Sequence, residues 1–162
     1  MNRLVSMRTL TRWAIGLVAL LALASAGPAG AASSDGLSTV EAFYSALLNV
    51  MKNGHSLGPS GRFAQIEPLI RRTFDIPAMA RLSVGPSWMT ITGTQRQQMT
   101  EGFGRYLSAF YADRFDGYAG QRFEVKEERP AVGGVIVRSQ LIRANGEPVN
   151  IDYVLRRSGD TC

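Results

Sequence analysis

The sequence predicts an α+β fold: helices first, then an antiparallel sheet whose apolar face they cover, leaving a cone-shaped body around an apolar interior. Apolar residues recur at helical spacing from Ser38 to about Phe115. From Gln121 the period changes to two, and Asn145-Gly146 falls between two alternating arms as a hairpin signal. Helices followed by strands with one apolar face pack as two layers.

The first 31 residues stand apart. Arg3, Arg8 and Arg12 precede an apolar run from Trp13 to Leu23, followed by Ala24-Ser25-Ala26 and Ala29-Gly30-Ala31-Ala32. A basic start, a short apolar stretch and small residues make a secretory signal peptide, with cleavage expected after residue 26 or 31. The run is too short for a bilayer, which needs about 20 residues. Residues 32–162 are expected to form a single exported domain.

Removing the three leader arginines from 18 basic residues leaves 15 against 13 acidic ones, spread without a block. A nucleic-acid partner needs a concentrated basic face, so that class is excluded. Cys162 is the only cysteine, so no disulfide forms within the chain, and none follows the leader to carry a lipid. His55, the only histidine, lies in the loop-like "KNGHSLGPSG" with no partner ligand. No metal and no cofactor are expected.

Ser38 and Glu41 read as a capping box opening the first helix, which Gly54 ends. Its apolar face carries Val40, Phe43, Tyr44, Leu47, Val50 and Met51. Gly58-Pro59-Ser60-Gly61 reads as a loop. "RFAQIEPLIRRTF" then forms a second helix with the stripe Phe63, Ile66, Leu69 and Ile70, bent or broken at Pro68. Next comes "TFDIPAMARLSVGPSW", a short helix capped by Asp75, started by Pro77 and stopped at Gly85-Pro86. It is apolar nearly all round, with only Arg81 clearly opposed, and is expected to be buried on most sides.

Thr92 and Gln95 suggest a capping box for a longer helix running to about Phe115. Met99, Phe103, Tyr106, Leu107 and Phe110 fall within a 100° arc, an aromatic stripe expected to face the sheet. Three alternating runs follow: "RFEVKEE", "GGVIVRSQLIR" and "PVNIDYVLRR". Val135, Val137, Ser139 and Leu141 share one face of the middle run, and Val149, Ile151, Tyr153 and Leu155 one face of the last.

No G-x-S-x-G, phosphate-cradling glycine loop or H-E-x-x-H occurs. Asp152, Asp113 and Glu101 could serve acid-base chemistry only from inside a pocket, and each lies off the apolar faces. The chain is therefore not expected to be an enzyme. A small-molecule enzyme of a cone-shaped fold and a ligand-free interaction module stay as alternatives. What the chain has in quantity is apolar surface, which suits either a filled core or a cavity for an apolar ligand.

The stretches "FDIPAMARLSVGPSW", "EGFGRYLSAFYADRFDGYAGQRFEV" and "VIVRSQLIRANGEPVNIDYVLRR" resemble the MlaC-like family of periplasmic lipid-binding proteins, also called toluene-tolerance auxiliary components of ABC transporters. "SVGPSW" and "RANGEPVNIDYVLRR" are most similar to its hopanoid-associated branch, HpnM. The likeness covers nearly all of residues 37–159. It implies a monomeric periplasmic shuttle that carries a hopanoid or phospholipid between membranes for a membrane transporter complex. It also implies an apolar cavity between helices and sheet. Placed in that architecture, Phe74, Ile76, Met79, Leu82, Trp88, Met99, Phe103, Tyr106, Leu107, Phe110, Val137, Leu141, Ile151, Tyr153 and Leu155 are the candidate lining, with Met79 and Leu82 near an entrance. Family members continue into a further strand and a C-terminal helix, whereas this chain stops at "RRSGDTC". A fragment with an unpaired sheet edge and a partly uncovered cavity is the resulting expectation.

Overall fold

The computed structural model describes residues 35–156. The expected leader, residues 32–34 and the final "RSGDTC" lie outside the described residues. Among the described residues, four helices precede a three-stranded sheet: α1 (Asp35–Lys52), α2 (Gly54–Thr73), α3 (Ile76–Val84), α4 (Gly93–Arg114), β1 (Arg122–Ala131), β2 (Gly134–Ile142) and β3 (Pro148–Arg156). A 3₁₀ turn over Gly85–Met89 links α3 to α4. The strands are antiparallel in the order β1-β2-β3, which makes the fold α+β as expected.

α1 begins three residues before the expected capping box. Ser38 and Thr39 both donate their hydroxyls to the Asp35 carbonyl, at 3.0 and 2.8 Å, so Ser38 sits inside the helix instead of capping it. The buried face is the one the spacing predicts, from Val40 to Met51. Only Asn53 separates α1 from α2. Gly54 opens α2 there because a Cβ would run into the Asp116 carbonyl.

The loop expected at residues 58–61 is a kink within α2. Gly58 takes φ 64° and ψ 177°, and Pro59 restarts the helix immediately. Pro68 does not break it. Pro68 and Ala64 are both exposed, so the Ala64 carbonyl that loses its amide partner can turn to water.

Both ends of α3 fall where the sequence places them. Asp75 accepts from the Ala78 amide at 3.0 Å, and Gly85, at φ 68°, bonds back to the Arg81 carbonyl. Its burial does not match the expectation: only Ile76 and Ala80 are buried, and Leu82 is 75% exposed. The helix rests chiefly on α4, so a single neighbour covers one side of an all-round apolar segment.

The capping box of α4 is formed, with Gln95 N–H to Thr92 Oγ1 at 3.2 Å and Thr92 N–H to Gln95 Oε1 at 2.8 Å. The buried face is Gly104, Ser108 and Ala112, not the aromatic stripe. These small residues allow α4 to come close to α2, with Ser108 Oγ returning to the Gly104 carbonyl at 2.7 Å. The stripe is thereby turned outward. Met99 is 51% exposed, Tyr106 65% and Phe110 44%, while Phe103 and Leu107 still touch the core.

In the sheet, Val135, Val137 and Ser139 are buried and face the helices. On β3 the half-buried Val149, Ile151, Tyr153 and Leu155 alternate with the exposed Asn150, Asp152, Val154 and Arg156. Asn145-Gly146 forms the β2–β3 turn, with Gly146 at φ 86° and its amide bonded to the Arg143 carbonyl at 2.9 Å. On β1 a bulge between Val125 and Glu127 shifts the register, so alternation in "RFEVKEE" holds only as far as Val125.

Candidate functional site

Between the helices and the sheet lies a layer of aromatic rings. Phe43 of α1 is at its centre, edge-on to Phe74 at 5.3 Å, Tyr111 at 5.7 Å and Tyr153 at 6.3 Å between ring centroids. Tyr44 stacks on Phe123 of β1 at 4.2 Å. Phe115, just beyond α4, joins Tyr111 at 5.4 Å to Phe123 at 6.0 Å. α4 thus meets the sheet through side chains, Tyr111 against Tyr153 and Phe115 against Phe123.

The layer carries a chain of hydroxyls. Ser139 donates its one hydrogen to the Ile151 carbonyl at 2.7 Å, so Tyr44, 2.6 Å away, is the donor to Ser139. Tyr153 lies beside this pair, its ring 5.8 Å from that of Tyr44, and its phenol and that of Tyr111 influence one another electrostatically. Burial pushes all three phenols above their ordinary range, with Tyr153 the furthest. The interior is therefore polar at a few hydroxyls and otherwise apolar, with no charged side chain fully buried among the described residues.

The three carboxylates considered for acid-base work are at the surface. Asp152 lies 3.8 Å from Arg138, Glu101 is 3.0 Å from Arg71, and Asp113 is exposed. Among the described residues no His, Cys, Asp and Glu group could hold a metal, and no helix is long and apolar enough to cross a membrane.

Two open clefts flank the aromatic layer. One, of about 230 Å³, runs between α3 and α4 and is lined by Ala80, Ser83, Val84, Gln98, Met99, Gly102, Phe103 and Tyr106. The other, of about 420 Å³, lies where the ends of α1 and α4 meet the sheet near the β2–β3 turn. Met51, Phe115 and Leu141 supply its apolar part; Arg114, Gln121, Arg143, Ala144 and Asn145 complete it.

The residues singled out from the sequence divide among these places. Ile76 and Val137 are fully packed in the core, and Phe74, Leu107, Tyr153 and Leu155 lie against it, with Ile151 half-buried on β3. Met99, Phe103 and Tyr106 share the α3–α4 cleft, and Leu141 lines the other. Met79 and Trp88 are half-buried, whereas Leu82 and Phe110 are exposed. Phe43, Tyr44, Tyr111, Phe115, Phe123 and Ser139 were not among them, yet they build the aromatic layer. A signal was present: Phe43-Tyr44 are adjacent on the core face of α1, and Ser139 is the one polar residue on the buried face of β2.

In comparison with solved structures, the chain is similar to a phospholipid-binding protein from Ralstonia solanacearum, determined in complex with a phospholipid. The TM-score is 0.64 at 27% identity, over 78% of this chain and 73% of that one. No curated protein matches the chain significantly. The family model described as MlaC protein matches residues 41–162, nearly the whole of α1 through β3 and beyond, and on that match the chain belongs to the MlaC family.

Proposed function

We propose that this protein is a periplasmic lipid-binding shuttle. It carries a phospholipid or a hopanoid between membranes as the soluble partner of a membrane transporter complex, and it acts as a monomer without covalent chemistry. The observation that carries this reading is the likeness, across 78% of the chain, to a protein solved with a phospholipid bound. The uncharged aromatic layer and the apolar groove beside it supply the kind of surface such a cargo requires.

The physical task is large. An acyl chain of about 14 methylenes carries roughly 11 kcal/mol of hydrophobic free energy at about 0.8 per methylene, so release into water is slow. A protein that covers the chain during transit removes most of that barrier. Entry is proposed where α4 faces the sheet, because the Tyr111–Tyr153 and Phe115–Phe123 contacts can part without breaking a strand ladder.

The test is extraction and native mass spectrometry of the mature protein purified from its own cell envelope. Bound phospholipid or hopanoid is the expected result, and its identity decides between the two cargoes. Protein recovered free of lipid from a lipid-replete envelope overturns the reading.

A further inference from the structure

We infer that the cleft between the end of α4 and the β2–β3 turn is an anion site that takes the phosphate of an amphiphile. This assignment rests on the lipid-carrier reading and deepens it by naming where the charged end of the cargo sits. The lining holds two guanidiniums, Arg114 and Arg143, and no carboxylate. At about 420 Å³ it falls within the size range of small-molecule sites.

Each arginine is placed by its surroundings. Arg114 lies 5.7 Å over the ring of Phe110, in the last turn of α4, where a cation balances the helix dipole. Arg143 already binds one oxyanion: its Nη1 donates to Glu147 Oε2 at 2.7 Å. A guanidinium presents a fork of five donors, so a phosphate can share Arg143 with Glu147 or displace it.

The floor of the cleft gives the ligand its second property. Phe115 lines it and also contacts Tyr111 and Phe123, which belong to the aromatic layer. A molecule with its phosphate on Arg114 and Arg143 can therefore lay its apolar part against Phe115, Met51 and Leu141, with Phe115 joining the cleft to the aromatic layer. Free phosphate would satisfy the guanidiniums alone; a phospholipid would satisfy both parts.

The experiment compares capture of phosphatidylglycerol and of diacylglycerol from mixed vesicles by the wild-type protein and by the Arg114→Gln/Arg143→Gln double variant. Both side chains are exposed, so the variant is expected to fold, with circular dichroism as the check. Phosphatidylglycerol capture should fall by about fivefold or more while diacylglycerol capture is unchanged. Glu147→Gln, which removes the competing carboxylate, should raise phosphatidylglycerol capture. Inorganic phosphate that competes with the lipid in the wild type supports a site that also takes the free ion; absence of competition supports a headgroup held together with its chains.

Equal loss of both lipids, or no loss of phosphatidylglycerol, overturns the assignment and leaves the carrier reading standing. Wild-type protein that captures neither lipid overturns both.

Discussion

Tyr44 on α1 donates its hydroxyl to Ser139 on β2 across 2.6 Å, and Ser139 passes its own hydrogen to the Ile151 carbonyl on β3. One short chain of hydroxyls thus links a helix to two adjacent strands inside an otherwise apolar layer. Both residues are almost fully buried, so water cannot replace either bond.

Removing the two ends of this bond should have unequal consequences. Tyr44→Phe keeps the ring stacked on Phe123 and leaves Ser139 bonded to Ile151, at a cost of about 1 kcal/mol. Ser139→Ala strips the acceptor from a buried phenol and the donor from the Ile151 carbonyl, at a cost of about 1–3 kcal/mol. Urea unfolding of both single variants and the double variant measures the coupling. Strictly additive losses would show that the hydroxyl contact contributes no coupling energy.

Alkaline pH should unfold the protein through its tyrosines. Burial raises the phenols of Tyr44, Tyr111 and Tyr153 above the ordinary value of 10.0. A raised folded-state pKa means that the fold binds the proton more tightly than the unfolded chain does. The associated stability is full below pH 10 and declines as pH rises above it, because the unfolded phenols ionise first. Tyrosinate absorbance and circular dichroism followed together should show these three groups ionising only as helical signal is lost. Their ionisation with the helical signal intact would refute the mechanism.

The parts of the fold legible in the sequence are those set by near neighbours. Asp75 caps α3, Thr92 and Gln95 cap α4, and Asn145-Gly146 turns the hairpin, because each needs only residues within three or four positions. The period-two faces of β3, and of β2 as far as Ser139, were equally legible, whereas at the end of β2 Leu141 is half-buried and Ile142 on the opposite face is buried. The orientation of α4 was not. Its helical wheel points Met99, Tyr106 and Phe110 inward, but the distance of closest approach to α2 is decided by Gly104, Ser108 and Ala112. Close helix packing selects small side chains, and a wheel that weighs hydrophobicity alone cannot see that. For the same reason the candidate lining divided between core, cleft and surface. Ser38 misled in a different way, since a serine three residues into a helix can bond back to the Asp35 carbonyl instead of capping.

That outward turn of α4 provides a way to separate cargo binding from folding. Phe110 and Tyr106 are substantially exposed, so Phe110→Asp or Tyr106→Asp should change stability by less than about 1 kcal/mol. Phe103 is half-buried, lying against the core as well as in the α3–α4 cleft, so Phe103→Asp gives up core contacts and leaves a carboxylate partly desolvated, and should destabilise the fold more than either exposed-site variant. If acyl chains lie along this face of α4, the Phe110 and Tyr106 variants should retain lipid about tenfold less well while their urea midpoints stay near wild type. Lipid retention by the purified variants, read alongside those midpoints, checks the expectation. Folded variants that retain lipid fully would move the chains away from this face and into the layer around Phe43, where Tyr111 and Tyr153 would have to separate to admit them.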